Sequence, residues 1–546
     1  MLPRLQDVYR STFGQALTGA AALWAALPPL DLWPLAWIAP IWWILLIRRR
    51  HLPGRRPYRA LWLAGLLFWL VVLHWVRLAH WAAYFGWVVL SFYLAFYLPV
   101  FVGLGRVAVH RFRVPIILVA PIVWTGLELA QAHLFTGFAM GSLCHTQYRW
   151  IGLIQLSDLA GAYGVSFVMM LVAACLARMI PCEDRPAASW PLLPAAAVLG
   201  AALIYGHLRV CGEYPPPQAR IALIQGSVDT EIKFDPEMRQ RVFQEYFDLS
   251  QQAVAKSKPA RLDLIVWPET MFRDTVVTFD EHPKVPEEYD GTQQQFLRDL
   301  RKYSQDVGRS IEWLAQTLDA PLLLGTDRHH YGSEAVQRFN SAVFVGRHGK
   351  LLGHYDKIHL VMFGEYVPFV RHFPWLQRLT PVAISLSPGT RSAVFELGSG
   401  LRIAPNICYE TVIPHVIRRQ VNSLKAAGTE PDVLVNLTND GWFRGSSELD
   451  LHLACGVFRA VECRKPLLIA ANTGFSAFID GDGRIRAQGP RRATGTILAD
   501  VAADPRRSWY LTYGDWPAGI CLAGCVVLGL AAAWSRIRRR AAEERA

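Results

Sequence analysis

Residues Leu401–Glu410 read LRIAPNICYE. The apolar run over Leu401–Ile407 is short and follows a Gly-Ser-Gly turn, so it reads as a buried strand. Its end carries Cys408, with Tyr409 and Glu410 next in line. In α/β domains reactive groups gather where strands end. A thiol becomes a nucleophile only as thiolate, so Cys408 needs a base or a cation nearby. Working outward, the run LDLIVW (Leu262–Trp267) leads into Pro268 and Glu269, and GHYDKIHL (Gly353–Leu360) carries Lys357. A carboxylate can take the thiol proton, and an ammonium can stabilise an oxyanion. Spacing alone leaves plainer readings open. A cysteine after an apolar strand is commonly buried filler, and a strand-end Glu or a loop Lys commonly faces water.

Further short apolar runs are bounded by turn residues: Arg220–Gly226, Pro321–Gly325, Ser341–Gly346, Asp432–Leu437, Leu467–Ala471 and Gly474–Ile479. Between several of them lie stretches at helical spacing, such as 236–256 and 294–318. Alternating strands and helices predict an α/β domain. The acidic, Pro-bearing segment 274–292 reads as a surface loop.

The flanks of this domain differ in kind. The 546 residues are 52% hydrophobic and only 18% charged, against about 25% charged in ordinary globular chains. Residues 212–514 hold 35 basic and 35 acidic side chains, so the whole net charge of +12 sits in the flanks, beside the apolar segments. That distribution is the mark of membrane topology, and it excludes nucleic acid as the partner. Segments of roughly 20 apolar residues can span a bilayer. Seven precede the domain, at about 12–29, 33–47, 60–78, 83–104, 114–134, 162–178 and 189–208, and one follows it, at 516–534. Loop 48–59 carries Arg48, Arg49, Arg50, Arg55, Arg56 and Arg59, loop 105–113 carries Arg106, Arg111 and Arg113, and the tail is also basic. The alternate loops, 79–82 and 135–161, hold Arg149 between them. Both termini are therefore expected in the cytoplasm and the α/β domain outside. The domains expected are a membrane domain over 1–211, the catalytic domain over 212–514, and a last span with a basic tail over 515–546. Arg4 and Arg10 before the first span resemble a signal peptide, but Pro28 and Pro29 make a poor cleavage site, so an uncleaved anchor is expected.

The nine cysteines include no CxxC pair, and their number is odd, so no disulfide framework is expected. His329 and His330 have no partner at ligand spacing, so no metal is expected. Glu128 stands inside an apolar segment, where an unpaired carboxylate is costly. Its simplest placement is near the outer interface; the alternative is a polar contact to a headgroup or to protein.

Three separated motifs, W-P-E at Trp267–Glu269, K-x-H-L-x-x-F-G-E at Lys357–Glu365 and C-Y-E at Cys408–Glu410, occur in the order that resembles the nitrilase, or carbon–nitrogen hydrolase, superfamily. The resemblance covers about 218–502, and NLTNDGWF (Asn436–Phe443) and HLACGVFRAVE (His452–Glu462) extend it. It implies a four-layer αββα sandwich and a catalytic triad of Glu269, Lys357 and Cys408, with no cofactor. WPLAWIAP (Trp33–Pro40), QLSDLAGAYGVSF (Gln155–Phe167) and FGEYVP (Phe363–Pro368) extend the likeness to the branch that carries membrane spans, the apolipoprotein N-acyltransferases. The fold expected is thus an α-helical membrane bundle of about eight spans joined to an extramembrane α/β domain. Phe234 stands where this branch usually has Trp, loop 136–147 follows the pattern loosely, and the 88 positions from Glu269 to Lys357 imply an insertion near 274–318.

The resemblance implies acyl transfer in two steps. Cys408 takes an acyl chain from a membrane phospholipid as a thioester, and an amine, the α-amino group of diacylglyceryl-cysteine in an apolipoprotein, then accepts it. Glu269 serves as base, and Lys357 faces the oxyanion. Glu365 and Glu410 are secondary candidates for positioning the triad, each with the plainer reading of a solvated loop carboxylate. Tyr409 either packs or lines the pocket, and Phe234 is a candidate contact for an acyl chain. A monomer in the bacterial cytoplasmic (inner) membrane, with the domain on the periplasmic side, is expected. A membrane-anchored amidase of the same superfamily remains the alternative enzyme. A scaffold without catalysis would not need the three residues together.

Overall fold

The computed structural model describes residues 11–183, 186–210, 212, 214–229, 236–370, 372–373, 375–376 and 385–543. The chain forms two compact units, one of residues 1–77, 84–210 and 508–546, the other of 78–83 and 211–507.

The first unit is helical. Its longer helices ahead of the second unit are α1 (Thr12–Ala26), α2 (Leu35–Arg48), α3 (Pro57–Val72), α4 (Ala83–Leu94), α5 (Tyr97–Arg106), α6 (Ile116–His133), α7 (Ala162–Met179) and α8 (Leu192–Arg209). A helix thus occupies each of the seven expected segments before the domain. Among the described residues, five helical stretches of the chain are long and apolar enough to cross a membrane: Ala83–Arg111, Ile116–Thr136, Ala162–Met179, Leu192–Arg209 and Trp516–Arg538. Side-chain to backbone bonds tie neighbours together, as where Trp43 Nε1 of α2 donates to Ala16 O of α1 at 3.0 Å. Asp158 of the QLSDLAG motif is buried and accepts from Tyr205 OH at 2.6 Å and Arg209 Nε at 2.7 Å, both on α8. Glu128 of α6 is also buried. Its Oε1 accepts from Trp124 Nε1 at 2.9 Å and from Leu143 N at 3.1 Å. These donors meet the carboxylate inside the unit, so Glu128 makes a polar contact to protein.

The second unit begins with β1 (Ala219–Gln225), α9 (Arg239–Ser257), β2 (Leu264–Trp267), β3 (Val276–Phe279), α10 (Gln293–Leu318), β4 (Leu322–Tyr331), β5 (Val336–Val345) and β6 (Leu351–Asp356). It continues with β7 (Phe395–Glu396), β8 (Arg402–Ile407), α11 (Pro414–Ala426), β9 (Val433–Thr438), α12 (Glu448–Cys463), β10 (Leu467–Ala471), β11 (Ala477–Ile479), β12 (Ile485–Gln488) and β13 (Gly495–Val501). The chain then returns to the first unit with α13 (Trp509–Tyr513) and α14 (Trp516–Glu543), the latter on the eighth expected segment.

Two sheets result. One runs β13-β1-β2-β4-β5-β6, with β3 also paired to β4, and the other runs β12-β11-β10-β9-β8-β7. Along β1, β2 and β4 apolar side chains alternate between two cores, as the two-residue period requires. Ile221, Leu223, Leu264, Val266 and Leu323 face Ile403, Val433, Val435 and Leu468 between the sheets. Ala222, Ile265, Trp267 and Leu324 face Val242, Tyr246, Val307 and Leu314 of α9 and α10. On the second sheet α12 packs on β10 and β11 and contacts α11. The four layers are therefore αββα.

Segment 274–292, expected as loop, contains β3. It pairs in parallel with Arg328–Tyr331, the half of the long strand β4 that lies beyond the β2 pairing at Leu322–Leu324. Burial of Val276 and Val277 makes this pairing worthwhile, and α10 packs over it. The expected insertion is thus an ordered strand and helix.

Candidate active site

Strands β1, β2 and β4 are parallel, as are β8, β9 and β10. Two antiparallel pairings, β4 with β5 and β5 with β6, return β6 to the direction of β4. Glu269 follows β2, Lys357 follows β6, Cys408 follows β8 and Asn439 follows β9. Parallel strands put their carboxyl ends at one edge, where ligands of such sheets bind. Gly325 makes room there, because a Cβ at that position would lie 2.2 Å from Pro268 O and 2.7 Å from Glu269 Cα.

The three residues of the sequence triad meet. Lys357 Nζ lies 2.8 Å from Glu365 Oε1 and 3.7 Å from Glu269 Oε1, and it is 1% exposed. Glu269 is held at both oxygens, Oε1 by Asn340 Nδ2 at 2.6 Å and Oε2 by Asn439 N at 3.0 Å. Cys408 sits in the left-handed region, at φ 51°, in a tight turn directly after β8. A non-glycine residue there carries local strain, which the surroundings must hold. Asn436 Nδ2 donates to Cys408 O at 3.1 Å and to Asn406 Oδ1 at 2.8 Å, and Thr411 Oγ1 donates to Asn406 Oδ1 at 2.6 Å.

Electrostatics assign resting states. Burial, reinforced by the Glu269 charge and only partly opposed by Lys357, pushes the Cys408 thiol well above its ordinary range. Burial alone would lower Lys357, but the charges of Glu365 and Glu269, together with that of Cys408 when ionised, outweigh it and raise the lysine above its ordinary value. At neutral pH the site thus holds a protonated thiol beside a firm ammonium. Among the charges acting on the thiol, that of Glu269 is the largest.

Glu365 and Glu410 are not solvated loop carboxylates. Glu365 Oε1 accepts from Lys357 Nζ and from Asn340 Nδ2 at 3.2 Å, and Oε2 accepts from Val361 N at 2.9 Å. Glu410 is fully buried. Its Oε1 accepts from Ile358 N and His359 N, each at 2.9 Å, its Oε2 accepts from Ile407 N at 2.7 Å, and Tyr355 OH lies 2.9 Å from both oxygens. Glu410 thus fastens the turn bearing Cys408 to the turn bearing Lys357. Burial raises its carboxyl above the ordinary range, against these donors. Tyr409 is half-buried and stacks on His359 with ring centroids 6.3 Å apart. Phe234 lies outside the described residues.

Asn340, Asn436 and Asn439 were not singled out by sequence reasoning. Asn340 stands directly before the run SAVFVG, a polar residue inside what proves to be the longer strand β5, and that placement was a usable signal. Asn436 and Asn439 lie within NLTNDGWF. His329 and His330 lie on β4, and His330 pairs with Thr278 and Asp280.

Comparison with known proteins agrees with this architecture. The apolipoprotein N-acyltransferase N-terminal domain matches residues 19–175, and the carbon-nitrogen hydrolase family matches residues 220–510. An apolipoprotein N-acyltransferase of Rhodopirellula baltica is 32% identical over 550 residues, covering 94% of this chain and 95% of the relative. One of Geobacter metallireducens is 32% identical over 539 residues, covering 96% of each. Among solved structures, an amidase of the nitrilase superfamily from Nesterenkonia AN1 is 19% identical, with a TM-score of 0.36 over 54% of this chain and 95% of that one. With its helical first unit, its αββα second unit and relatives aligned along nearly its whole length, the chain belongs to the apolipoprotein N-acyltransferase family.

Proposed function

We propose that the protein, acting as a monomer, moves an acyl chain from a membrane phospholipid to the α-amino group of diacylglyceryl-cysteine at the start of an apolipoprotein, through a thioester on Cys408. The observation that carries this reading is the convergence of Glu269, Lys357 and the protonated Cys408 from the ends of β2, β6 and β8, in a chain whose full-length relatives are named apolipoprotein N-acyltransferase.

In the first step Glu269 takes the Sγ proton as sulfur bonds to the ester carbonyl carbon. The negative charge moves to the carbonyl oxygen, which faces the Lys357 ammonium. Collapse breaks the acyl C–O bond, and Glu269 returns the proton to the departing lysophospholipid oxygen. In the second step the amine nitrogen bonds to the thioester carbon and Glu269 takes its proton. The C–S bond then breaks, and the proton passes to the sulfur. An electrostatic donor aimed at such an oxyanion contributes about 100- to 1000-fold in rate.

In this reading the chain has eight spans with both termini in the cytoplasm and residues 212–514 at the periplasmic face, a topology that the arginine-rich alternate loops support. Both substrates are lipids of one leaflet, so tethering the domain at both ends raises their effective concentration. The test is complementation of a bacterium depleted of its own N-acyltransferase, with mass spectrometry of a lipoprotein N-terminus. N-acylated cysteine is expected from the wild type and none from Cys408→Ser. Free fatty acid without N-acylated peptide would instead assign a membrane-anchored hydrolase of the nitrilase superfamily.

A further inference from the structure

Beside the triad, the end of β9 and the start of α12 bring together Asp440, Glu448 and His452, each at most 3% exposed. Thr438 Oγ1 donates to Asp440 Oδ1 at 2.8 Å, and His452 Nδ1 lies 3.2 Å from the same oxygen and 4.0 Å from Glu448 Oε1. Burial, and after it the charge of Asp440, pushes the Glu448 carboxyl well above its ordinary range. Gly474 leaves space for the Asp440 carboxylate, because a Cβ there would lie 2.0 Å from Asp440 Oδ2.

The residue between Thr438 and Asp440 touches the base. Asn439 N donates to Glu269 Oε2, and among the described residues that oxygen has no other donor. The Asn439 side chain accepts from Asn472 Nδ2 at 2.9 Å and from Gly441 N at 3.3 Å. Its N–H direction therefore follows the turn 438–440, and the Thr438–Asp440–His452 contacts clamp that turn from both sides. The same Asp440 charge also reaches the Cys408 thiol.

We infer that Asp440 and His452 are positioning residues: their pair holds the 438–440 turn so that the Asn439 N–H aims Glu269 at the Cys408 thiol. This rests on the reading of Glu269 as base. Neither residue touches the thiol, so their loss slows thioester formation and leaves binding of the acyl donor unchanged.

The experiment uses the full-length protein with vesicles of phosphatidylethanolamine bearing an alkyne-labelled acyl chain and no acceptor. Acyl-enzyme at Cys408 is timed by intact mass over a series of lipid densities, which separates the maximal loading rate from the half-saturating density. A misplacement of 1 Å costs up to about 100-fold, so His452→Leu should lower the maximal rate roughly 10- to 100-fold at unchanged half-saturation. His452→Asn, whose amide donates from near the Nδ1 position, should recover most of the rate. Thr438→Val, which removes one hydroxyl at equal volume, carries the same test should His452→Leu not fold. Loading at the wild-type maximal rate in Thr438→Val or His452→Leu overturns the inference, as does a change in half-saturation alone or a His452→Asn protein as slow as His452→Leu. Ligand atoms of the three side chains lie within 4.8 Å of one another, so metal content is measured as well. An equimolar divalent metal present in the wild type and lost in His452→Leu would replace this inference by a metal site. A wild type that loads no acyl group refutes the functional reading itself, and not only the positioning role.

Discussion

Glu410→Gln is the substitution for which the structure supports the fullest forecast. It keeps the side-chain volume and removes one acceptor oxygen from a fully buried carboxylate that receives three backbone N–H groups. If the amide oxygen stays toward Ile358 and His359, the new NH₂ meets the Ile407 N–H, donor against donor. If it flips, two N–H groups lose their acceptor. The milder outcome leaves one buried donor unsatisfied and weakens two charge-assisted bonds, about 2–3 kcal/mol in all. For a domain of this size that is roughly 4–12 °C in the unfolding midpoint, at about 2–4 °C per kcal/mol. The kinetic effect should exceed the thermal one. Ile358 is the neighbour of Lys357 and Ile407 the neighbour of Cys408, so a loosened Glu410 lets nucleophile and ammonium separate. A shift of about 1 Å costs up to about 100-fold. The assay pairs a thermal melt with timed acyl-enzyme formation on phospholipid vesicles without acceptor. Glu410→Gln protein that melts within a degree of wild type and loads at its rate would refute the claim that this carboxylate fastens the two turns.

Three further outcomes are expected. Lys357→Ala should fail to accumulate thioester with donor lipid alone, slower by about 100- to 1000-fold; loading at the normal rate with failed transfer would move Lys357 to acceptor recognition. A reporter active only in the periplasm should be active when fused after Val210, and an inactive fusion would mean that the span count is wrong. The third concerns pH. The folded Cys408 thiol is raised above its unfolded value, so above about pH 8.5 the unfolded chain releases a proton that the folded protein keeps, and stability falls as pH rises. Unfolding midpoints of wild type should therefore drop more steeply than those of Cys408→Ser between pH 8.5 and the folded thiol's own value, and parallel curves would contradict the assignment.

Much of this protein was legible in its sequence because the signals are local. The apolar runs at β1, β2, β8, β9 and β10 announce themselves, since strands buried on both faces must be almost wholly apolar. Helices α9 and α10 carry their period in their own residues, and the apolar flanks with arginine-rich loops follow from the cost of placing charge in a bilayer. The candidate triad could be named because W-P-E at Glu269, K-x-H-L-x-x-F-G-E at Lys357 and C-Y-E at Cys408 stand in an order that resembles the nitrilase superfamily. Strands β3, β6, β7, β12 and β13 went unread. They are short or partly exposed, and β3 and β13 gain their place from partners at Arg328–Tyr331 and Ala219–Gln225 rather than from pattern. The fate of single carboxylates was equally hidden. Nothing near Glu410 in the chain distinguishes a solvated loop residue from a buried clasp, because two of its three backbone donors come from 51 and 52 positions away. Glu269 depends on an N–H 170 positions distant, at Asn439. Residue types, their order and their periods are properties of the chain alone. Whether a charge is buried, and which donors then satisfy it, depends on packing between elements far apart in the chain, so only the tertiary structure could decide it.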